Sequence, residues 1–222
     1  VPYLRPTDLA AVDGGDDGAF GVDPDATRIA SVYAEAAALA RSRRTDGEAI
    51  VVTGHLYAAG GSLSEKSERK IQKGNLEAVP DAAFADDFAY VALGHLHLAQ
   101  EVGGREHVRY AGSPIPLSLD EAGYRHQVVL VELDGDRARS VEAIPVPRSV
   151  PTLRLPGEGP SRLAEVLARL DELPADPGGR EPDLRPYLEV RLLAEAGEPG
   201  WKTAIEEAVE GKDARLLRVE RT

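Results

Sequence analysis

Two short apolar runs, Ala49-Ile50-Val51-Val52 and Ala89-Tyr90-Val91-Ala92-Leu93, constrain this chain more than any other feature. Each is too short for a helix and too continuously apolar for a strand with one wet face. Both are therefore expected to be strands buried on both faces of a sheet. Each also leads into a glycine and a histidine: Thr53-Gly54-His55 after the first, Gly94-His95-Leu96-His97 after the second. Sheets of this kind need helices on their faces, and residues 26–44 supply one. Ile29, Val32, Tyr33, Ala36, Leu39 and Ala40 recur at helical spacing, Asp23-Pro24-Asp25 is a start signal, and arginines fill the last turn. The expected fold class is α/β.

The remaining segments are read from their punctuation. Residues 1–25 are rich in Asp, Gly and Pro and are expected to form an irregular surface loop. Two hairpins are expected, 99–102 with 108–111 around Gly103-Gly104, and 127–133 with 137–145 around Asp134-Gly135-Asp136. Pro145, Pro147 and Pro151 mark a hinge, giving domains at 1–147 and 148–222. Beyond the hinge the pattern is strand (152–155), helix (161–173, capped by Ser161), strand (187–193), helix (200–209) and strand (214–219). That order makes a small two-layer α/β unit, with Trp201 packing its core.

Composition narrows the function. The chain has no cysteine, which excludes disulfide scaffolds, zinc ribbons and thiol nucleophiles. No run approaches eighteen apolar residues, so no transmembrane helix is expected, and the absence of a charged-then-apolar opening points to the cytoplasm. The formal net charge of −12 has the wrong sign for coating nucleic acid, so any DNA contact must come from a local patch. A chain of 222 residues without methionine, starting Val1-Pro2-Tyr3, is expected to be the later part of a longer polypeptide.

Of five histidines, His55, His95 and His97 follow the two buried runs, where ligands gather in open α/β sheets. If the backbone stays extended, His95 and His97 project to one side and address one site. Imidazole is the commonest side-chain metal ligand. Hydrogen-bonded surface histidines would give the same pattern, and so would a mononuclear zinc with an open water position. His107 and His126 are expected to be structural or surface residues.

The motifs that carry these histidines resemble the last two signature motifs of the calcineurin-like metallophosphoesterases. Ala92 to Gln100 and Glu106 to Glu121, including Gly112-Ser113-Pro114-Ile115-Pro116, are similar to the SbcD family, the nuclease subunits of bacterial SbcCD DNA-repair complexes. Pro2-Tyr3-Leu4-Arg5-Pro6-Thr7-Asp8-Leu9 resembles a mid-protein segment of that family. The resemblance implies the second half of a metallophosphoesterase β-sandwich flanked by helices, followed by a capping domain. It implies a DNA exonuclease and endonuclease with two divalent ions, usually manganese, with His55 and His95 on one ion and His97 on the other. It also implies DNA and the SMC-like ATPase subunit SbcC as partners, in a homodimer within a heterotetramer, with no membrane. Roles in DNA repair, recombination and replication follow from the same likeness.

The chain departs from that family in one respect. The Asp-x-His, Gly-Asp-x-x-Asp and Gly-Asn-His-Asp motifs of the amino-terminal half are absent, and with them the bridging carboxylate and the catalytic histidine. Three imidazoles alone leave the repulsion between two cations unscreened, so this chain by itself is expected to bind manganese weakly and to cut nothing. Lys66, Arg69, Lys70 and Lys73 lie in a polar stretch that is either a solvated face or a phosphate contact. Ser113 is a DNA-contact candidate in a loop that either shapes a pocket or merely turns the chain. Asp120 and Glu121 have no spacing that ties them to a histidine and are assigned no role. A small-molecule phosphodiesterase and a non-catalytic binding module for DNA or a partner are the alternative readings.

Overall fold

The computed structural model describes residues 1–9, 24–59, 61, 78–178, 181–193 and 199–222, which divide into two units, Val1–Val146 and Pro147–Thr222. In the first unit a single turn, α1 (Pro6–Leu9), precedes the long helix α2 (Pro24–Arg43). Pro24 opens α2 where a missing N–H costs nothing, with Asp25 in the first turn and Arg41 and Arg43 in the last. Ile29, Tyr33 and Ala37, four residues apart, form its buried stripe.

That stripe packs on a four-stranded sheet of β1 (Val51–His55), β2 (Tyr90–Gly94), β3 (Gln100–Val102) and β4 (Arg105–Tyr110). The order is β1-β2-β4-β3, with β1, β2 and β4 parallel and β3 antiparallel to β4. Gly103 and Gly104, both at positive φ, make the expected tight turn between β3 and β4. Tyr33 and Phe84 meet edge to face at 5.5 Å in the core. A Cβ at Gly54 would lie 2.0 Å from Tyr33 Oη, so only glycine lets α2 approach β1 this closely.

The central strand β2 is buried as its sequence predicts, but β1 is not. Val51 is 48% exposed, because among the described residues β1 is the outer strand of its sheet. Val1 lies along its open edge, donating from its amino terminus to Thr53 O (2.8 Å) and accepting from His55 N (3.3 Å). The first unit ends in the antiparallel hairpin of β5 (Gln127–Asp134) and β6 (Arg137–Pro145).

The second unit has three parallel strands, β7 (Thr152–Leu155), β8 (Tyr187–Leu192) and β9 (Arg215–Arg221), with β8 central. The crossovers are α3 (Leu163–Asp171) and α4 (Trp201–Val209). Two like-handed crossovers put both helices on one face, where Val166, Leu170 and Ile205 meet Leu188, Val190 and Leu192. Trp201 packs against this core beneath the guanidinium of Arg221. Ser161 does not cap α3. The N-cap is Arg162 without a side-chain bond, and Ser161 instead extends the ladder, bonding Arg191 O and Leu193 N through its backbone. Backbone pairing with β8 takes the residue that local sequence offered as a cap.

Candidate functional site

The parallel pairing of β1 and β2 places their carboxyl ends together, with His55 opposite Gly94. A Cβ at Gly94 would lie 3.1 Å from His55 Nδ1, so this glycine makes room for the imidazole. The next residue brings the second ring across. His55 and His95 meet edge to face with centroids 5.3 Å apart.

The backbone route differs from the expected one. It leaves the extended conformation at His95, the one non-glycine residue with positive φ (+107°) among the described residues. A histidine there costs of order 1–3 kcal/mol, and such strain gathers at functional sites. Neither Gly54 nor Gly94 takes a positive φ; both are needed for close approach rather than for turning. Tyr3 completes this corner, edge-on to His55 and stacked on His95, each at 6.0 Å. Burial raises its phenol above the usual tyrosine range.

His97 belongs to a second polar cluster. Its Nδ1 lies 2.7 Å from Glu121 Oε1, and Glu121 is fully buried. Glu121 sits in the 3-10 turn Leu119–Gly123, begun by Ser118, whose hydroxyl accepts from Asp120 N. Its other oxygen, Oε2, accepts from Leu117 N (2.8 Å) and from the Ser113 hydroxyl (3.4 Å). The Ser113 amide donates to His97 O at 3.0 Å, closing the loop back onto the histidine it serves. Gly112, at φ +80°, lies against the same segment: a Cβ there would be 2.8 Å from His97 O and from Ala99 N. Buried His126 contacts Ser113 through Nδ1, at 3.0 Å from its carbonyl and 3.3 Å from its hydroxyl. Its Nε2 has no partner among the described residues.

His55 and His95 share one corner; His97 is anchored by Glu121. Among the described residues, no three His, Asp or Glu side chains are grouped to hold a metal ion. Ser113 is 6% exposed, with its hydroxyl turned toward Glu121 and His126. Lys66, Arg69, Lys70 and Lys73 lie outside the described residues. His107 is structural: Arg105 Nη2 lies 3.3 Å from its Nε2, and burial, then the Arg105 charge, lowers its pKa. Sequence reasoning missed Glu121 and Tyr3. The side chain each meets lies 24 or more residues away, and no local pattern marks such a pair.

Histidines on the exit turns of parallel strands define the class, a mixed α/β chain built around a strand-end polar site. Comparison with known proteins is more specific. Residues 148–222 match the family model SbcD_C, described as "Type 5 capsule protein repressor C-terminal domain". The SbcD subunit of nuclease SbcCD from Rhodobacter capsulatus is 40% identical over 220 residues, 97% of this chain and 52% of that protein. The SbcD protein of Escherichia coli K12 is 40% identical over 175 residues, covering 78% of this chain and 42% of its own. That of Bacillus subtilis is 34% identical over 150 residues, 67% and 36% of the two chains. The chain is an SbcD relative over nearly its whole length, and it spans about half the length of the curated relatives it matches.

Proposed function

We propose that this chain is the later part of a metal-dependent nuclease subunit of SbcCD type, which hydrolyses DNA phosphodiesters. The convergence of His55 and His95 at the ends of two parallel strands, in a chain related to nuclease subunits throughout, carries the reading. In this reading the first unit is the second half of a metallophosphoesterase sandwich, and residues 148–222 are a capping domain that helps position DNA.

The donor chemistry fits divalent metal in part. Neutral imidazoles suit manganese or zinc, whereas the carboxylate needed between two cations is not grouped with them among the described residues. His55 and His95 would hold one ion, with Gly94 keeping the first ring seated and the turn at His95 presenting the second. His97 would serve the other ion. When bound, two divalent ions, here manganese, would supply an activated water and stabilise the leaving oxygen. This chain's part is to fix its imidazoles, on strand ends flanked by buried Leu56, Leu93 and Leu96. The partners are DNA and the SMC-like ATPase SbcC, and the assembly is a homodimer within a heterotetramer. The site is of use only when the missing carboxylates are present, so the isolated chain is inactive.

His97→Ala in the full-length parent tests this. Manganese-dependent DNA cleavage is expected to be lost with DNA affinity kept. Unchanged cleavage overturns the proposal, and activity in the isolated chain overturns its dependence on the rest of the parent. Lys66, Arg69, Lys70 and Lys73 are proposed phosphate contacts: neutralising each should weaken binding to all sequences alike and lower the salt slope by about 1.

A further inference from the structure

We infer that Glu121 is a positioning residue that fixes His97 as its Nδ1–H tautomer and so makes Nε2 the ring's lone-pair nitrogen. Leu117 N–H can only donate, and it points at Glu121 Oε2. The Ser113 hydroxyl approaches the same oxygen, and His126 Nδ1–H can reach the Ser113 carbonyl and hydroxyl, leaving the hydroxyl proton for Glu121. The carboxylate therefore accepts on Oε2, and the 2.7 Å contact on Oε1 is completed by a proton on His97 Nδ1.

A solvent-exposed carboxylate would hold such a proton only loosely. Glu121 is fully buried and braced from Leu117, Ser113 and, through Ser113, His126, so both its oxygens are fixed in place. Histidines that bind metal are oriented in this way, by a carboxylate on the nitrogen away from the ion, and loss of the partner typically costs 10–100-fold in metal affinity. The Gly112-Ser113-Pro114 loop then has a defined role. Gly112 allows contact with the His97 backbone and Ser113 clamps both His97 and Glu121.

The tautomer assignment stands on its own; its consequence for metal rests on the proposed nuclease reading. Two measurements separate them. Long-range proton–nitrogen NMR of the metal-free chain, at a pH where the ring is neutral, should find the His97 proton on Nδ1. A proton on Nε2 overturns the assignment without any variant. Glu121→Gln sharpens it, because a carboxamide has one acceptor oxygen of nearly the same size. That oxygen is expected at the Leu117 and Ser113 side, which turns the NH2 toward His97 and flips the ring to its Nε2–H tautomer. An unchanged tautomer in Glu121→Gln overturns the positioning role. In the full-length parent, manganese affinity measured by calorimetry should fall 10–100-fold in Glu121→Gln. A flipped tautomer with unchanged affinity overturns the role of His97 as a ligand and leaves the tautomer assignment intact.

Discussion

Among the described residues, each unit buries one glutamate completely, and the two are held in different ways. Glu189, on the central strand β8, is held between two guanidinium groups directly across from it in the register, Arg154 on β7 (2.5 Å) and Arg218 on β9 (2.6 Å to Nε). Glu121 is held instead by a backbone amide, a hydroxyl and an imidazole. The two guanidiniums bind Glu189 from both flanking strands, so the triad ties three strands together. Weaker, directional donors hold Glu121 in one orientation and transmit that orientation to a ring. A buried carboxylate between two guanidiniums fastens a sheet, whereas one that meets an amide, a hydroxyl and an imidazole can set a tautomer.

The comparison breaks most visibly in stability. Glu189→Ala leaves two arginines facing each other across β8 and is expected to cost about 3 kcal/mol in urea unfolding, near the low end for a buried pair because both guanidiniums touch water. Next comes a buried polar group with no partner among the described residues. Tyr33 Oη makes no hydrogen bond there, and burial pushes its phenol up to about 12. The unfolded chain releases this proton near pH 10 while the folded chain keeps it, so stability holds below pH 10 and falls between 10 and about 12. Tyr33→Phe should remove about 3 kcal/mol of that alkaline loss, read from denaturation midpoints across pH. Glu121→Ala strands the Leu117 and Ser113 donors and should cost about 2 kcal/mol, less than Glu189→Ala, which leaves two guanidinium groups facing each other. A loss exceeding that of Glu189→Ala would show that the two sites differ less than their donors imply. Smallest of all, the triple replacement Arg154→Met, Glu189→Leu, Arg218→Met should remain within about 1 kcal/mol of the parent, since a buried ion cluster and apolar packing of like volume nearly balance. An equivalent apolar replacement at Glu121 can restore stability but not the His97 tautomer.

Elements set by neighbouring residues were legible beforehand. The stripe of Ile29 and Tyr33, the Gly103-Gly104 turn and the strand-helix alternation after residue 150 all depend on contacts a few residues long. Of the site, the sequence made visible the histidines and their place at strand ends. The path between His95 and His97 was not legible, because a positive φ at a histidine runs against local preference and persists only where the surrounding fold enforces it. The sequence assigned Ser161 to a cap, since a serine reads the same whether its partner is water, a helix end or a neighbouring strand.

Chemical identity and local periodicity lie in the order of residues. From them alone come the α/β class, the imidazoles on exit turns and the likeness to SbcD. Pairing across sequence distance lies elsewhere. Only the tertiary structure set Tyr3 on His95 and Glu121 on His97, because burial and hydrogen-bond direction become properties of a residue only after the chain has closed around it.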